Sequence, residues 1–202
     1  MNENAIYRIL EQPWLYRLQR LILAPGADKT LTRRFGELLA RLPENPLILD
    51  VGCGPSSRLW PLGVHPVGLD YSLSYARAYA ARGEPAVVGS SDALPFPAAE
   101  FDAVWCIGVF HHVPDDLVRG AVREMWRVCR PGGLVVVFDA VLPEPAWRRP
   151  IAYAQRRLDR GQFMRREAQL RALLAAGQEF EIERLTYAYN GLEALLAYGA
   201  AQ

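Results

Sequence analysis

The chain has 202 residues, 51% of them hydrophobic and 22% charged, with a formal net charge of +1. That length suits one α/β domain with a substantial core and is too short for two full ones. The near-neutral balance argues against a general nucleic-acid binder, and no run approaches the ~18 apolar residues of a membrane span.

The first four residues hold no basic stretch ahead of an apolar core, so no signal peptide is expected and a cytoplasmic location is read. From Ala5 to Leu23, apolar residues such as Ile6, Ile9, Leu15 and Leu18 recur near helical spacing. Pro13 interrupts them, which gives two short helices or one kinked helix. Ala24-Pro25-Gly26 breaks the chain, and a further helix is predicted over 28–41. Residues 1–42 are read as a helical lid and 43–202 as the main domain, within one structural unit. These 42 residues are too few for a core of their own, yet they carry an apolar face.

Next, Pro46-Leu47-Ile48-Leu49 reads as a buried strand that breaks into Asp50-Val51-Gly52-Cys53-Gly54. Gly52 and Gly54 permit backbone angles denied to other residues and allow close approach to a ligand. The helix after this loop must be short, because Pro61 and Gly63 stop it. A second strand starts near Val64 and ends at Val67-Gly68-Leu69-Asp70, and Ser72 caps a helix to Arg82. The strand Ala86-Val87-Val88-Gly89 leads to Ser91-Asp92-Ala93-Leu94-Pro95-Phe96. The strand Phe101–Ile107 opens into Gly108-Val109-Phe110-His111-His112-Val113. A helix from Asp115 or Asp116 to Arg130 ends at Pro131-Gly132-Gly133, which feeds the strand Leu134–Phe138. Strand and helix thus alternate, which predicts a parallel sheet covered by helices.

Beyond, Pro143, Pro145 and Pro150 mark an irregular connection, followed by helices over 151–160 and 165–176. The tail Glu179–Tyr189, Asn190-Gly191, Leu192–Tyr198 reads as a hairpin around a two-residue turn. By propensity Glu193–Ala197 reads equally well as helix. Cys53, Cys106 and Cys129 lack metal-ligand spacing and read as small buried hydrophobes in a reducing compartment; no metal site is expected.

Taken in order, DVGCG at 50–54, GLDYS at 68–72, DALPFP at 92–97, FDAVWCIGVFHHV at 101–113 and RPGG at 130–133 resemble the class I S-adenosylmethionine (SAM) dependent methyltransferases. The likeness is greatest to the small-molecule branch that includes the ubiquinone and menaquinone biosynthesis enzymes. The resemblance implies a Rossmann-like, seven-stranded, mostly parallel sheet with a closing antiparallel hairpin, and it decides the tail for the hairpin. It implies SAM as cofactor, with S-adenosylhomocysteine as product. Asp50, Gly52, Cys53 and Gly54 would meet the methionine part, Asp70 the ribose diol, and Tyr71 and Ser72 the adenosine side. Asp92, Ala93 and Leu94 would lie at the adenine, with Ile107 and Gly108 lining the methionine side. The bland readings are that Asp70 caps a helix, Tyr71 packs on the sheet edge and Asp92 is an exposed cap.

His111 and His112 are the candidate catalytic residues, since an imidazole titrates near neutrality and can take a proton from a phenol, enol or carbon acid. Their alternative is a structural role. Tyr7, Trp14, Tyr16, Trp147, Tyr153 and Phe163 would wall a small apolar or aromatic acceptor, or simply fill the core. Arg148, Arg149, Arg156, Arg157, Arg160, Arg165 and Arg166 read as a solvated face, or as the contact for an anionic or lipid-like group with peripheral membrane attachment. A monomer or dimer without nucleic acid is expected. The competing function is a SAM-binding domain that regulates a partner without turnover. A nicotinamide dehydrogenase is disfavoured, because it would not require Asp92 or the paired histidines.

Overall fold

The computed structural model describes residues 26–158 and 161–202. The readings placed on residues 1–25, including the kinked helix, Tyr7, Trp14 and Tyr16, lie outside the described residues, as does Arg160. Among the described residues the elements run α1 (Ala27–Leu39), β1 (Ile48–Val51), a 3-10 turn at Trp60–Leu62, β2 (Val67–Asp70), α2 (Leu73–Ala80), β3 (Ala86–Val88) and β4 (Phe101–Ile107). A 3-10 turn at Phe110–His112 then leads to α3 (Asp115–Val128), β5 (Cys129–Val141), α4 (Pro150–Arg157), α5 (Glu167–Leu174), β6 (Glu181–Thr186) and β7 (Glu193–Ala200).

The seven strands form one sheet in the order β3-β2-β1-β4-β5-β7-β6. β1 to β5 are parallel, and β7 lies antiparallel between β5 and β6. The mostly parallel sheet with a closing antiparallel pair is the architecture expected from the motifs. The strands read as unbroken apolar runs because helices cover both faces. On one face α3 and α5 bury Val118, Met125, Leu170 and Leu173 against Val104, Cys106 and Val135. On the other, α1 buries Leu31, Phe35 and Leu38 against Ile48, Trp105 and Phe138. Phe35 meets Trp105 and Phe138 edge-on at 5.3 and 5.7 Å, and its burial contributes about 2–3 kcal/mol. Residues 27–39, part of the stretch read as a lid, therefore lie on the face of the sheet.

Pro61 and Gly63 do stop the chain after the glycine loop: only a single 3-10 turn forms there, and β2 begins at Val67. The tail departs from expectation at its turn. Thr186 pairs with Glu193, so six residues connect β6 and β7 where a two-residue Asn190-Gly191 turn was expected. Gly191 N donates to Ala188 O at 3.0 Å, which makes Asn190-Gly191 the second half of a tighter turn inside the connection. Asp102 is structural: it accepts the Leu47 amide at 2.7 Å and pairs with Arg130. Among the described residues no helix is long and apolar enough to cross a membrane.

Candidate active site

β1 ends at Val51, and the chain turns at once through Gly52 and Gly54, with φ of 72° and 61°. The amides of Gly52 and Cys53 both donate to Leu69 O, at 2.7 and 3.1 Å, which pins the turn to the end of β2. The two glycines meet different needs. A Cβ on Gly52 would stand 2.4 Å from Val109 Cγ2, so the loops after β1 and β4 nest directly together. A Cβ on Gly54 would meet nothing within 4 Å, so that backbone faces open space in a conformation reserved for glycine.

Asp70 closes this loop. Its Oδ2 accepts the Gly54 amide at 2.9 Å and its Oδ1 the Ser72 amide at 2.8 Å. The helix cap is Ser72, whose Oγ accepts the Tyr75 amide, and half-buried Asp70 keeps a further lone pair on each oxygen for another donor. Asp50 is 3% exposed, and burial pushes its carboxyl up to about 6, offset in part by the Ser57 hydroxyl. Asp70 nearby raises it further, while Arg58 lowers it. Cys53 is buried, and burial holds its thiol well above the ordinary range, so it acts as filler beneath the loop. Cys106 and Cys129 are likewise buried free thiols, and among the described residues no group of His, Cys, Asp or Glu could hold a metal ion.

The remaining cofactor candidates are placed unequally. Tyr71 is 84% exposed beside Asp70. Asp92 receives the Ser90 hydroxyl and packs on α3, where a Cβ on Gly120 would stand 2.6 Å from its own Cβ. Ala93 is exposed, with its amide turned to Ser90 O at 3.3 Å. Leu94 enters the core, and its amide donates to Glu124 at 2.8 Å. Ile107 and Gly108 end β4, and Gly108 N donates to Phe138 O on β5 at 2.7 Å.

The two histidines differ. His112 is exposed, with its ring 4.1 Å from that of His111. The His111 side chain is largely buried, and its Nδ1 lies 2.5 Å from Asp139 Oδ1. Asp139, 1% exposed on β5, also accepts the His111 amide at 3.1 Å and the Ala140 amide at 2.6 Å. Three N–H groups can converge there, so Asp139 serves as acceptor and His111 Nδ1 as donor. The sequence reading missed Asp139. Its signal was an acid closing the apolar run Leu134–Phe138, the same signal that singled out Asp70.

Arg165 was also misread. Arg148, Arg157 and Arg166 are exposed as a solvated face requires, but Arg156 and Arg165 are buried at 7% and 6% exposure, and Arg149 pairs with buried Glu193 at 2.8 Å. Among the expected wall residues, Phe163 is half-buried next to the histidine turn and Trp147 is exposed. Tyr153 lines an open cleft of about 380 Å³ with Leu142, Pro143, Pro145 and Arg166, just past the end of β5.

A methyltransferase-domain family matches residues 49–137. The chain is 33% identical over 189 residues to the malonyl-[acyl-carrier protein] O-methyltransferase of Enterobacter lignolyticus, covering 84% of this chain and 72% of that one. It is 34% identical over 131 residues to the demethylmenaquinone methyltransferase of Mycolicibacterium vanbaalenii, covering 63% of this chain and little more than half, 56%, of the relative. In fold it resembles a SAM-dependent methyltransferase of Thermotoga maritima, with a TM-score of 0.69 at 18% identity over 97% of this chain and 100% of the other.

Proposed function

The chain belongs to the class I SAM-dependent methyltransferases, and from that premise we propose that it methylates a small acceptor held over the carboxyl ends of β4 and β5, with His111 taking the acceptor's proton. The observation that carries this reading is the His111–Asp139 pair, set one loop away from the glycine turn through the contact of Val109 with Gly52.

The residues at the end of β1 and β2 fit such a cofactor. Gly54 presents bare backbone to open space, half-buried Asp70 retains acceptor capacity for a diol, and buried Asp50 lies close enough to Asp70 to feel its charge. When bound, SAM supplies a methyl group on a sulfonium, activated because its leaving group is a neutral thioether. What the protein adds is orientation and removal of water. Gly52 lets the two loops close on each other, and Gly54 keeps the ligand space clear. Asp50, whose charge is held back by burial, gains its best partner in a cationic amino group.

At His111, an Nδ1–H donated to Asp139 leaves Nε2 as the nitrogen that accepts a proton. A base is needed only when the acceptor loses a proton as it is methylated, which favours a phenol, enol or carbon acid. The named acceptors of the relatives, a demethylated menaquinone and a malonyl carrier protein, differ from each other, so the acceptor is inferred from the base and from the apolar surroundings of Phe163 and Tyr153.

Calorimetry should find SAM and S-adenosylhomocysteine bound at roughly micromolar affinity, about −8 kcal/mol. Binding of NAD and of neither sulfur ligand would overturn the reading. Labelled SAM offered with quinol-like, phenolic and malonyl thioester acceptors then tests turnover. SAM binding without transfer to any of them favours a regulatory domain.

A further inference from the structure

The segment that follows β5 returns to the histidine turn and is fastened there by one side chain. Arg165 Nη1 donates to Phe110 O at 2.6 Å, and Nη2 donates to Val113 O at 2.8 Å. These two carbonyls bracket His111 and His112. The same guanidinium meets Asp115 Oδ1 through Nε at 2.8 Å and Nη2 at 2.6 Å. From the same segment, Phe163 N donates to His111 O at 3.1 Å, and a Cβ on Gly161 would stand 2.5 Å from His111 Cδ2.

We propose that Arg165 is a positioning residue for the methyl-transfer reaction, acting through the 110–113 turn to hold His111 against Asp139. The inference rests on the reading of His111 as the base. Burying a guanidinium is expensive unless its donors are satisfied. Arg165 is 6% exposed, yet its carboxylate partner Asp115 has a side chain 59% exposed. The buried donors go to two carbonyls of a turn that is weakly held by itself, through His112 N to Val109 O at 2.9 Å and Val113 N to Phe110 O at 3.3 Å. The other end of the connection is also fixed. Arg165 O accepts the Leu142 amide at 2.9 Å, and Arg165 bridges to Val141, two residues past Asp139 on β5. Arg165 therefore ties the strand that carries the carboxylate to the turn that carries the imidazole. A planar fork suits two carbonyls and a carboxylate at once; the ammonium of lysine, a single point of charge, does not.

With three histidines in the chain, the imidazole nitrogens can be assigned and followed by 15N NMR without any acceptor. Wild-type protein should show His111 with Nδ1 protonated and Nε2 unprotonated. In Arg165→Lys and Arg165→Met that pattern should give way to averaged tautomers, while SAM affinity stays within about twofold and far-UV dichroism is unchanged. Where an acceptor is turned over, kcat should fall roughly 10- to 100-fold, as expected for a misplaced reacting group. That deficit should shrink at high pH, where the acceptor ionises unaided, which a merely structural arginine would not produce. Asp115→Asn keeps both carbonyl bonds and should keep the His111 spectrum. Folded Arg165 variants with a wild-type His111 spectrum overturn the proposal, and so does failure of every Arg165 variant to fold, since the residue would then serve the fold alone. Full turnover by His111→Gln would instead remove the base from the proposed function, with the spectrum still deciding what Arg165 does to the ring.

Discussion

The two halves of the candidate site are built in opposite ways. At the ends of β1 and β2 the chain presents backbone: glycines at positive φ, amides gathered by Leu69 O, and one carboxylate that ties Gly54 to Ser72. At the ends of β4 and β5 it presents side chains held by other side chains, with His111 set by Asp139 and its turn gripped by Arg165. The backbone half depends on shape, because a turn either admits a ligand or does not. The side-chain half depends on partners far apart in sequence, so it fails gradually as they are removed.

Gly52→Val tests the backbone half most severely. A branched side chain at φ 72° is strained, and its Cβ falls 2.4 Å from Val109 Cγ2. SAM binding should weaken by at least about 100-fold, with roughly 1–3 kcal/mol lost from the fold, read by calorimetry and thermal melting. His111→Gln is the matching test of the other half. A lost general base should lower kcat about 100- to 10,000-fold and leave the affinity for SAM untouched. Equal losses in kcat and SAM affinity would erase the distinction between the two halves.

Asp70→Ala should be milder, costing about 1.5–3 kcal/mol of SAM binding by titration calorimetry, since it removes a charge-assisted acceptor and frees two amides. Unchanged affinity would make Asp70 a loop fastener only. The smallest effect is expected at Asp50. Its folded pKa of about 6 lies above the ordinary 3.8, so the folded chain holds the proton more tightly. Stability should therefore rise as pH falls from about 6 towards 4, and the ionised form is the costly one at pH 7. Asp50→Asn should stabilise the ligand-free protein at pH 7 by about 1–3 kcal/mol and flatten that pH dependence, measured by urea melts at pH 5 and pH 7.

The same contrast explains what the sequence made legible. The alternation of strand and helix, the short turn before β2, the Ser72 cap and the acid-tipped strands are local patterns, written within a few residues of each other. The class of fold followed from them. Asp139 and His111 lie 28 residues apart and Arg165 and Phe110 lie 55 apart, and no local period connects them. Three arginines of the run misled for the same reason: residue type is visible in a sequence, but Arg149, Arg156 and Arg165 are held by Glu193, Tyr187 and the histidine turn. The hairpin turn failed on a different ground. Asn190-Gly191 has the right chemistry for a two-residue turn, yet Tyr187 N donates to Leu192 O at 3.1 Å and Gly191 N to Ala188 O at 3.0 Å, which centres the reversal one residue earlier, on Tyr189-Asn190.

β5 is paired along both edges, with Phe138 matched to Ile107 on one side and to Leu196 on the other. A strand embedded in this way exchanges its amide hydrogens only when the whole domain opens. The stretch from Gly161 to Arg165 hangs on a handful of bonds and should exchange through local fluctuations. His111 is thus gripped by neighbours from two different layers of stability. The amide of Phe138 should stay protected when that of Phe163 has already exchanged, so Asp139 keeps its place on β5 through motions that release the segment above the ring.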